Sequence, residues 1–510
     1  MLLKNEACVS WGRFSVCLAG VVFAASTAIG FEVTWNGRPL PVSPARVSAY
    51  PVNQIWSGNQ RPVEQTAIAS FVSFDVDVPG ELAIEPDEQE DVGAVQVLPL
   101  SYRPQMRRIG RGLFMRVERP RQFTVSFGRD APILHVFANP PFSEPEVSGR
   151  VRRFGPGEHH VGVLDVQSGE TVVIEEGAVL YGAVQVMHVK DVRIVGRGVV
   201  DGTYLDRARH DTPAYRSAVL AGLPHGFYGA EMAVTTFTCA WSTNVVVEGV
   251  TFRDPPRWTM IVRAQSKGVT IDNVKIVGCW RYNSDGINVC ASEDVTIRNS
   301  FVRSFDDCIV ARGAYLDCGV GPTRNVLVEN CVLWCDWGKN LEVWAGHKPC
   351  LIENVVFRDI ACVHPGSKAC DVTTWFASPC TRIRNVTMEN IEMDFARTRW
   401  RYRRQVSGKN LTSDDFDALT KADLLQVDVA SYGRYLGNQQ YEPATDLSGF
   451  HVSYENLSFR NFSVYGNLPE LSACVRATTE PHVIDGLRIE NMPTNLSLTV
   501  EGLVKHYEKR

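Results

Sequence analysis

The pentapeptide Val-Thr-Ile-Asp-Asn at 269–273 recurs as Val-Thr-Ile-Arg-Asn at 295–299 and as Val-Leu-Val-Glu-Asn at 326–330. Each copy is a short run of β-forming residues that ends at Asn. Looser copies, ending at Asn or Gly, are Val192–Gly196, Val246–Gly249, Leu351–Asn354, Arg382–Asn385, Val452–Asn456 and Val483–Gly486. From Gly249 onward the copies follow at intervals of 24, 26, 31, 24, 31, 71 and 30 residues. A period in the twenties to low thirties indicates a solenoid.

The repeat predicts an all-β chain whose main domain, residues 151–510, is a right-handed parallel β-helix. Each copy is too short to bury its own apolar face, so stacked coils bury one another and place Asn above Asn at a turn. A β-sandwich with coincidental Asn spacing is the alternative. Two stretches, 203–243 and about 396–450, are expected to be insertions, and loops this long are usually functional. The Arg-rich start of the second insertion is interpreted as a solvated loop or as a wall of a sugar site.

Residues 31–150 lack the repeat and alternate apolar with polar residues, as in Phe71–Val78. This pattern predicts a small antiparallel β-sandwich domain. We expect the sandwich to cap the end of the β-helix, which would otherwise present an open sheet edge. Carbohydrate binding is an alternative role for this domain.

Residues 1–30 have the pattern of a secretory signal peptide. Lys4 and Arg13 precede an apolar run from Phe14 to Ile29, and small residues lie near its end. An uncleaved membrane anchor is the alternative, although the run is short for a span. No later stretch reaches 18 apolar residues, so we expect a secreted or periplasmic protein with no membrane association after cleavage.

Composition excludes some classes of protein. The 510 residues include 52 Lys and Arg against 57 Asp and Glu, so a basic surface for nucleic acid is not expected. Ten of the fourteen cysteines fall between Cys279 and Cys380, without the paired Cys/His spacing of a zinc site. We expect structural cysteines, either in disulfides of undetermined pairing or as buried thiols, and neither a metal nor a cofactor. The oligomeric state stays open.

Three acidic residues suggest chemistry. Asp285 and Asp306 are 21 residues apart, close to one coil, and Asp307 follows directly. One coil separates neighbouring rungs by about 5 Å. The adjacent pair can share a cleft only if the chain bends there. Three carboxylates so close cannot all be ionised comfortably, so one should act as an acid and the others as bases. Inverting glycoside hydrolysis needs that division. The alternative is that these are ordinary turn residues.

The chain resembles glycoside hydrolase family 28, the polygalacturonase family, over about residues 150–395. The motifs that carry this resemblance are Pro156–His160, Gly177–Leu180, Ile194–Gly202, Pro256–Trp258, Asn283–Asp285 and Asp306–Cys308. The resemblance implies a right-handed β-helix and inversion of configuration. It also implies that Asp306 is the general acid and that Asp285 and Asp307 hold the attacking water.

Two departures from the family concern the substrate. Lys339, in Gly338–Asn340, stands where the family has the His of Gly-His-Gly, and nearby His347 is an alternative replacement. Asp371 begins the Asp-Val-Thr segment that stands near the family's Arg-Ile-Lys motif, which grips a uronate. A carboxylate substrate needs a cation. We therefore expect a substrate other than plain polygalacturonate, either neutral or acidic elsewhere along the chain.

The sequence thus predicts a secreted inverting glycoside hydrolase that acts on a poly- or oligosaccharide. The predicted catalytic residues are Asp285, Asp306 and Asp307. The predicted substrate-binding residues, with Trp258 and Trp344 as aromatic platforms or else core residues, are Asn283, Arg312, Lys339, Asn340, His347, Asp371, Trp258 and Trp344. One alternative is a polysaccharide lyase on the same architecture, with Lys339 or Arg312 as the base and calcium among the Asp residues. The other is a non-catalytic glycan-binding protein.

Overall fold

The computed structural model describes residues 30–50, 63–87, 93–128, 133–144, 149–205, 235–313, 319–345, 348–374, 377–378, 380–397, 400–402, 416–418, 421–437, 440–466, 470–477 and 480–510. The predicted signal peptide lies outside these ranges except for Gly30. Within them, one short 3-10 helix, Val63–Gln65, accompanies the strands. None of the described helical segments is long and apolar enough to cross a membrane.

The first ten strands form a β-sandwich of two five-stranded sheets, in the orders β2-β1-β5-β8-β7 and β3-β4-β10-β9-β6. The bounds are β1 (Phe31–Trp35), β2 (Arg38–Pro39), β3 (Val42–Ser48), β4 (Thr66–Asp75), β5 (Gly80–Pro86), β6 (Gln96–Leu98), β7 (Met106–Ile109), β8 (Gly112–Val117), β9 (Arg121–Ser126) and β10 (Ile133–Asn139). Alternating apolar residues of both sheets make one core. All strand pairs are antiparallel except β4 with β10, which is parallel. The sandwich is therefore not purely antiparallel as predicted.

The later strands build a right-handed parallel β-helix, as the repeat predicted. All but four of them belong to one 27-stranded sheet. The bounds up to the carboxylate cluster are β11 (Val151–Phe154), β12 (Gly157–Asp165), β13 (Thr171–Ile174), β14 (Ala178–Met187), β15 (Lys190–Gly196), β16 (Val199–Asp201), β17 (Phe237–Ala240), β18 (Thr243–Glu248), β19 (Thr251–Arg253), β20 (Met260–Arg263), β21 (Lys267–Asp272), β22 (Lys275–Val277), β23 (Ile287–Cys290), β24 (Glu293–Arg298), β25 (Phe301–Ser304) and β26 (Ile309–Arg312).

The remaining strands carry the helix to its last coil. They are β27 (Thr323–Cys335), β28 (Lys339–Ala345), β29 (Leu351–His364), β30 (Lys368–Thr374), β31 (Arg382–Asp394), β32 (Trp400–Tyr402), β33 (Phe416–Ala418), β34 (Lys421–Val429), β35 (Gly433–Gly437), β36 (Gln440–Pro443), β37 (Val452–Tyr465), β38 (Glu470–Ala477), β39 (His482–Glu490), β40 (Leu496–Gly502) and β41 (Val504–Lys509). Two antiparallel hairpins, β32 with β33 and β35 with β36, stand outside the large sheet.

The repeated Asn residues form the predicted stack at one turn of the coil. Asn273, Asn299 and Asn330 have φ values of 52°, 53° and 51°, in the left-handed region that Asn tolerates better than most residues. The side-chain amide of Asn330 donates to Oδ1 of Asn299 at 2.7 Å. These bonds fix the register of neighbouring coils, so the apolar residues between the turns stack inward.

The sandwich packs along the flank of the β-helix, so the prediction that it caps the end is wrong. Phe71 and Phe137 of the sandwich share a small apolar cluster with Phe301 of the helix. Arg303, only 1% exposed, is hydrogen-bonded to Nε2 of His135 at 3.1 Å. The sandwich therefore covers the sheet that contains β25 and lies next to the strands bearing the acidic residues.

The predicted insertion at about 396–450 is interrupted by a rung of the helix. Strand β34 pairs in parallel with β30 on one side and β38 on the other. At the start of this segment, Arg397 donates to the backbone oxygen of Gly128 at 2.7 Å, and so contacts the sandwich. Within the described parts of the segment, β34 thus belongs to the scaffold, whereas the two hairpins form separate two-stranded sheets.

The cysteines within the described ranges are free thiols, and most of them are buried in the coil core. Burial raises the pKa of Cys239 to about 12. This agrees with the second of the two predicted structural roles, that of buried thiols.

Candidate active site

The three predicted catalytic residues lie on stacked turns of neighbouring coils. Asp285 stands just before β23, and Asp306 and Asp307 stand in a bend before β26. The backbone N–H of Gly286 donates to the backbone oxygen of Asp307 at 2.8 Å, which holds the two turns together. Gly338 follows one coil later, and a Cβ there would lie 2.6 Å from backbone atoms of Asp306 and Asp307. Only Gly lets the three turns stack this closely.

Asp306 is the member of the trio that remains half-buried rather than buried. Its carboxylate accepts from the amide of Asn283 at 3.3 Å and from the backbone N–H of Asp307 at 3.1 Å. Burial, together with the neighbouring Asp307, raises the pKa of Asp306 to about 7. A carboxyl group with that pKa can carry a proton near neutral pH.

Asp307 has the opposite behaviour although it is buried. Burial alone would raise the pKa of Asp307, but Lys339 and Arg312 hold it below its ordinary value. The backbone N–H of Lys339 donates to Oδ1 of Asp307 at 3.0 Å, and the ammonium group lies 3.5 Å from the same oxygen. Asp307 is therefore kept ionised beside a partner that is readily protonated.

Asp285 is the most enclosed of the three, at 2% exposed. The amide of Asn288 donates to its Oδ2 at 3.1 Å. Burial, then the nearby Asp306 and Asp307, raise the pKa of Asp285 well above its ordinary range. The trio thus shares fewer than three negative charges near neutral pH, and two of its members have a raised pKa where the sequence predicted one.

Arg312 is the cation that joins the carboxylates. One nitrogen of its guanidinium lies 3.6 Å from Asp285, 3.8 Å from Asp307 and 3.9 Å from Glu342. A second nitrogen donates to Oδ1 of Asn288 at 3.1 Å. This buried charge is compensated on several sides, so Arg312 is part of the electrostatic framework.

The two tryptophans predicted as sugar platforms hold Arg312 instead. The guanidinium carbon lies 5.0 Å from the ring centre of Trp258 and 4.7 Å from that of Trp344. Both rings are nearly buried. Arg312 is thus clamped by cation–π contacts, and the rings position the cation rather than present open faces.

Glu342 belongs to this cluster and was missed by the sequence analysis. Its Oε1 lies 2.8 Å from the ammonium group of Lys339. Burial, together with Asp307, raises the pKa of Glu342 to about 8. The available signal was one acidic residue inside the apolar strand β28. The position of Glu342 in the cluster follows only from the strand register, in which Glu342 stands between Val310 of β26 and Asp371 of β30.

Asp371 lies one rung beyond Glu342 and is fully buried. Its Oδ2 is 3.7 Å from the ammonium group of Lys368. Burial raises the pKa of Asp371, although Lys368 opposes that shift. The acidic residues therefore continue along this face of the coil as far as Asp371. The two nearby lysines, Lys339 and Lys368, are each ion-paired with a carboxylate.

One other predicted residue, Asn340, is not brought to the cluster. Asn340 is fully buried; its amide donates to the backbone oxygen of His364 at 3.2 Å and accepts from the N–H of Gly366 at 3.1 Å. The Asn340 side chain thus forms its hydrogen bonds within the turn, whereas the sequence predicted that it contacts the substrate. His347 lies outside the described residues. In the described ranges, no three His, Cys, Asp or Glu side chains are grouped as a metal site would require.

Comparison with known proteins agrees with this architecture. Residues 182–398 match the family model named Glycosyl hydrolases family 28. An exopolygalacturonase of Cochliobolus carbonum is 26% identical over 181 residues, 34% of this chain and 35% of that protein. A dextranase of Arthrobacter globiformis is 22% identical over 274 residues, 49% of this chain and 40% of that protein. The chain thus spans less than half the length of these relatives.

Among solved structures, Dex49A from Penicillium minioluteum superposes with a TM-score of 0.51 at 13% identity, covering 92% of this chain and 93% of that one. At this identity the likeness concerns the fold alone. The region matched by the family model contains every acidic residue of the cluster described above. Residues 182–398 of this chain are thus similar to glycosyl hydrolases family 28.

Proposed function

We propose that this chain is a secreted glycoside hydrolase that cleaves a poly- or oligosaccharide with inversion of configuration. The supporting observation is the opposite behaviour of two adjacent carboxyls. The pKa of Asp306 is raised to about 7, whereas Lys339 and Arg312 overcome burial and lower the pKa of Asp307. An acid and a base therefore coexist in one site near neutral pH.

In the proposed mechanism, Asp306 donates its proton to the glycosidic oxygen as the bond to the leaving sugar breaks. Asp307 takes a proton from the attacking water, and Asp285 helps to hold that water. The oxygen of the water forms the new bond on the opposite face of the sugar, so the anomeric configuration inverts. Arg312 and Lys339 act as positioning residues that keep Asp307 charged.

We infer that the sugar at the central subsite is not a uronate. The cations near the cluster are paired with its own acids, Lys339 with Glu342 at 2.8 Å and Lys368 with Asp371 at 3.7 Å. A substrate carboxylate would have to displace one of these pairs and would meet the remaining acids at close range. Dextran, the glycan in one relative's name, has no carboxylate, so a neutral glycan fits this surface better than polygalacturonate.

A screen of polysaccharides tests the activity and the substrate class together. We expect reducing ends to be released from a neutral glycan such as dextran, xyloglucan or arabinogalactan, and not from polygalacturonate. NMR during the first turnovers is expected to show the anomer opposite to that of the cleaved bond. Retention of configuration, products with an unsaturated uronate, or binding without any cleavage would each contradict the proposal. The Asp306→Asn protein is the matched control.

The value of kcat/KM is expected to decrease on the alkaline side of neutrality. Asp306 must be protonated to act, so kcat/KM should decrease about tenfold per pH unit above about 7. Asp307 must be ionised, and because its pKa is lowered, the acidic decline should lie below about pH 4. Measurement of kcat/KM across this range checks both limbs. A profile that rises between pH 6 and 8 would contradict the assignment.

Replacement of Lys339 by Met should shift that profile. The ammonium group lowers the pKa of both Asp306 and Asp307, so its loss should move both limbs to higher pH. Lys267→Met is the matched control because Lys267 is 59% exposed and pairs with the surface residue Asp294. This control is expected to leave both limbs in place.

A further inference from the structure

A second concave site lies between the sandwich and the Asn turns of the β-helix. Its volume is about 620 Å³, and residues of both domains line it. On the sandwich side lie Tyr102, Arg119, Arg121 and Gln122. The strand β25 separates this turn of the coil from the turn that bears Asp306. We call it the interdomain groove; its lining includes none of the acidic cluster.

The sandwich wall of the groove is rich in hydrogen-bond donors. The guanidinium of Arg121 lies over the ring of Tyr102, 3.8 Å from its centre. Arg119 is exposed beside it. Two planar cations therefore stand on this wall, and the contact with Tyr102 orients that of Arg121.

The helix wall is rich in acceptors. Asn330, Asp359 and Asn390 stand on successive coils and are exposed. The amide of Asn390 donates to Oδ1 of Asp359 at 2.8 Å, which fixes the direction of both side chains. Glu392 lies beside them and accepts from the backbone N–H of Ser101 at 3.2 Å. The two Arg and two acidic side chains balance, so the groove has no net formal charge.

Gln122 provides an independent indication that a ligand is accommodated. It is 8% exposed, and its amide nitrogen donates to the backbone oxygen of Asn299 at 2.6 Å and to Asn273 at 3.0 Å. Its Oε1 is buried and has no donor in the described structure. An unmatched buried acceptor is destabilising, and a hydroxyl group placed within hydrogen-bond distance would satisfy it.

We propose that the interdomain groove binds a segment of a neutral oligosaccharide, as a glycan site separate from the carboxylate cluster. Sugar hydroxyls both donate and accept, so they suit a donor wall facing an acceptor wall. A uronate or phosphate would meet Asp359 and Glu392, and a polycation would meet the two Arg residues. The volume lies within the usual range of ligand sites, about 300–1,000 Å³, and such sites favour domain interfaces.

Retardation in native gels that contain dextran, xyloglucan, arabinogalactan or polygalacturonate tests this proposal. The full-length Asp306→Asn protein avoids hydrolysis during the run. Arg119→Ala removes one donor, and Ser101→Trp places a bulky ring on an exposed lining position. Arg38→Ala is the matched control, since Arg38 is an exposed sandwich Arg outside the groove.

We expect at least one neutral polysaccharide to slow the Asp306→Asn protein. Arg119→Ala should weaken that binding roughly fivefold, Ser101→Trp should reduce it further, and Arg38→Ala should not change it. With Asp306 intact, the groove variants should keep full hydrolysis of short oligosaccharides, which also shows that they fold. Equal retardation of all variants, no retardation by any neutral glycan, or groove-dependent preference for polygalacturonate would overturn the proposal. Groove-dependent binding without hydrolysis would leave it standing while the proposed catalytic function fails.

Discussion

Replacement of Asp306 by Asn is expected to lower kcat/KM on the cognate glycan about 10²–10⁴-fold. The amide has nearly the same shape as the carboxyl group, so the fold should be retained. It cannot supply the proton that the leaving oxygen needs. The loss should be much smaller on an aryl glycoside whose leaving group has a low pKa, because that group departs without protonation. Steady-state kinetics on both substrates measure the difference.

Asp294→Asn provides the matched control for this substitution. Asp294 lies on the surface, where its carboxylate accepts from the amide of Asn325 at 2.7 Å. We expect its kcat/KM to equal that of the parent on both substrates. Asp307→Asn, by contrast, should be impaired equally on both, because the base is needed whatever the leaving group. An Asp306→Asn enzyme with undiminished hydrolysis would remove the basis of the catalytic proposal.

Replacement of Arg312 by Met is expected to lower the free energy of unfolding by about 3–5 kcal/mol near pH 7. Arg312 is 8% exposed, and its guanidinium lies within 4.0 Å of Asp285, Asp307 and Glu342. Its removal takes away the cation that Asp285 faces and leaves Lys339 alone to compensate Asp307 and Glu342. Denaturant unfolding of the variant and the parent gives this difference.

The pH dependence of that loss follows from the carboxyl groups. Without Arg312, the pKa values of Asp285 and Glu342 in the folded protein rise further above those of the unfolded chain, and the lowering of the Asp307 pKa is lessened. The folded state then binds more protons, so the destabilisation grows with rising pH and fades below about pH 4. Arg298→Met is the control: Arg298 is 45% exposed, pairs with Asp272, and should cost less than about 1 kcal/mol. A loss in Arg312→Met that is equal at pH 4 and pH 7 would contradict the electrostatic explanation.

The coil architecture could be predicted because its signal repeats along the chain. Val295, for example, stands in register with Val269 of the preceding coil and Val326 of the next. The Asn that closes each copy has a backbone preference that suits a left-handed turn position. Local chemistry and long-range stacking thus point to the same structure, which is the condition for reliable inference from one sequence.

The features that sequence analysis missed depend on contacts between distant residues. Glu342 is one acidic residue in an apolar strand, and only the register places it beside Asp371. Trp258 and Trp344 flank Arg312 because three separate coils align, which no local pattern encodes. The position of the sandwich depends on how its surface fits that of the β-helix. The alternating pattern of its short strands does not specify which side of the β-helix they cover.

The lateral placement of the sandwich has a consequence for how the solenoid holds together. In a simple solenoid each coil touches only its neighbours, so coils can fray successively from an end. Here Asp75 of the sandwich binds Arg197 at 2.8 Å, while Leu100 donates its backbone N–H to Asp394 at 3.1 Å, several coils away. The sandwich thus connects coils that share no direct contact with one another. If one of these coils unfolds, the sandwich loses part of its interface and binds the remaining coils less tightly.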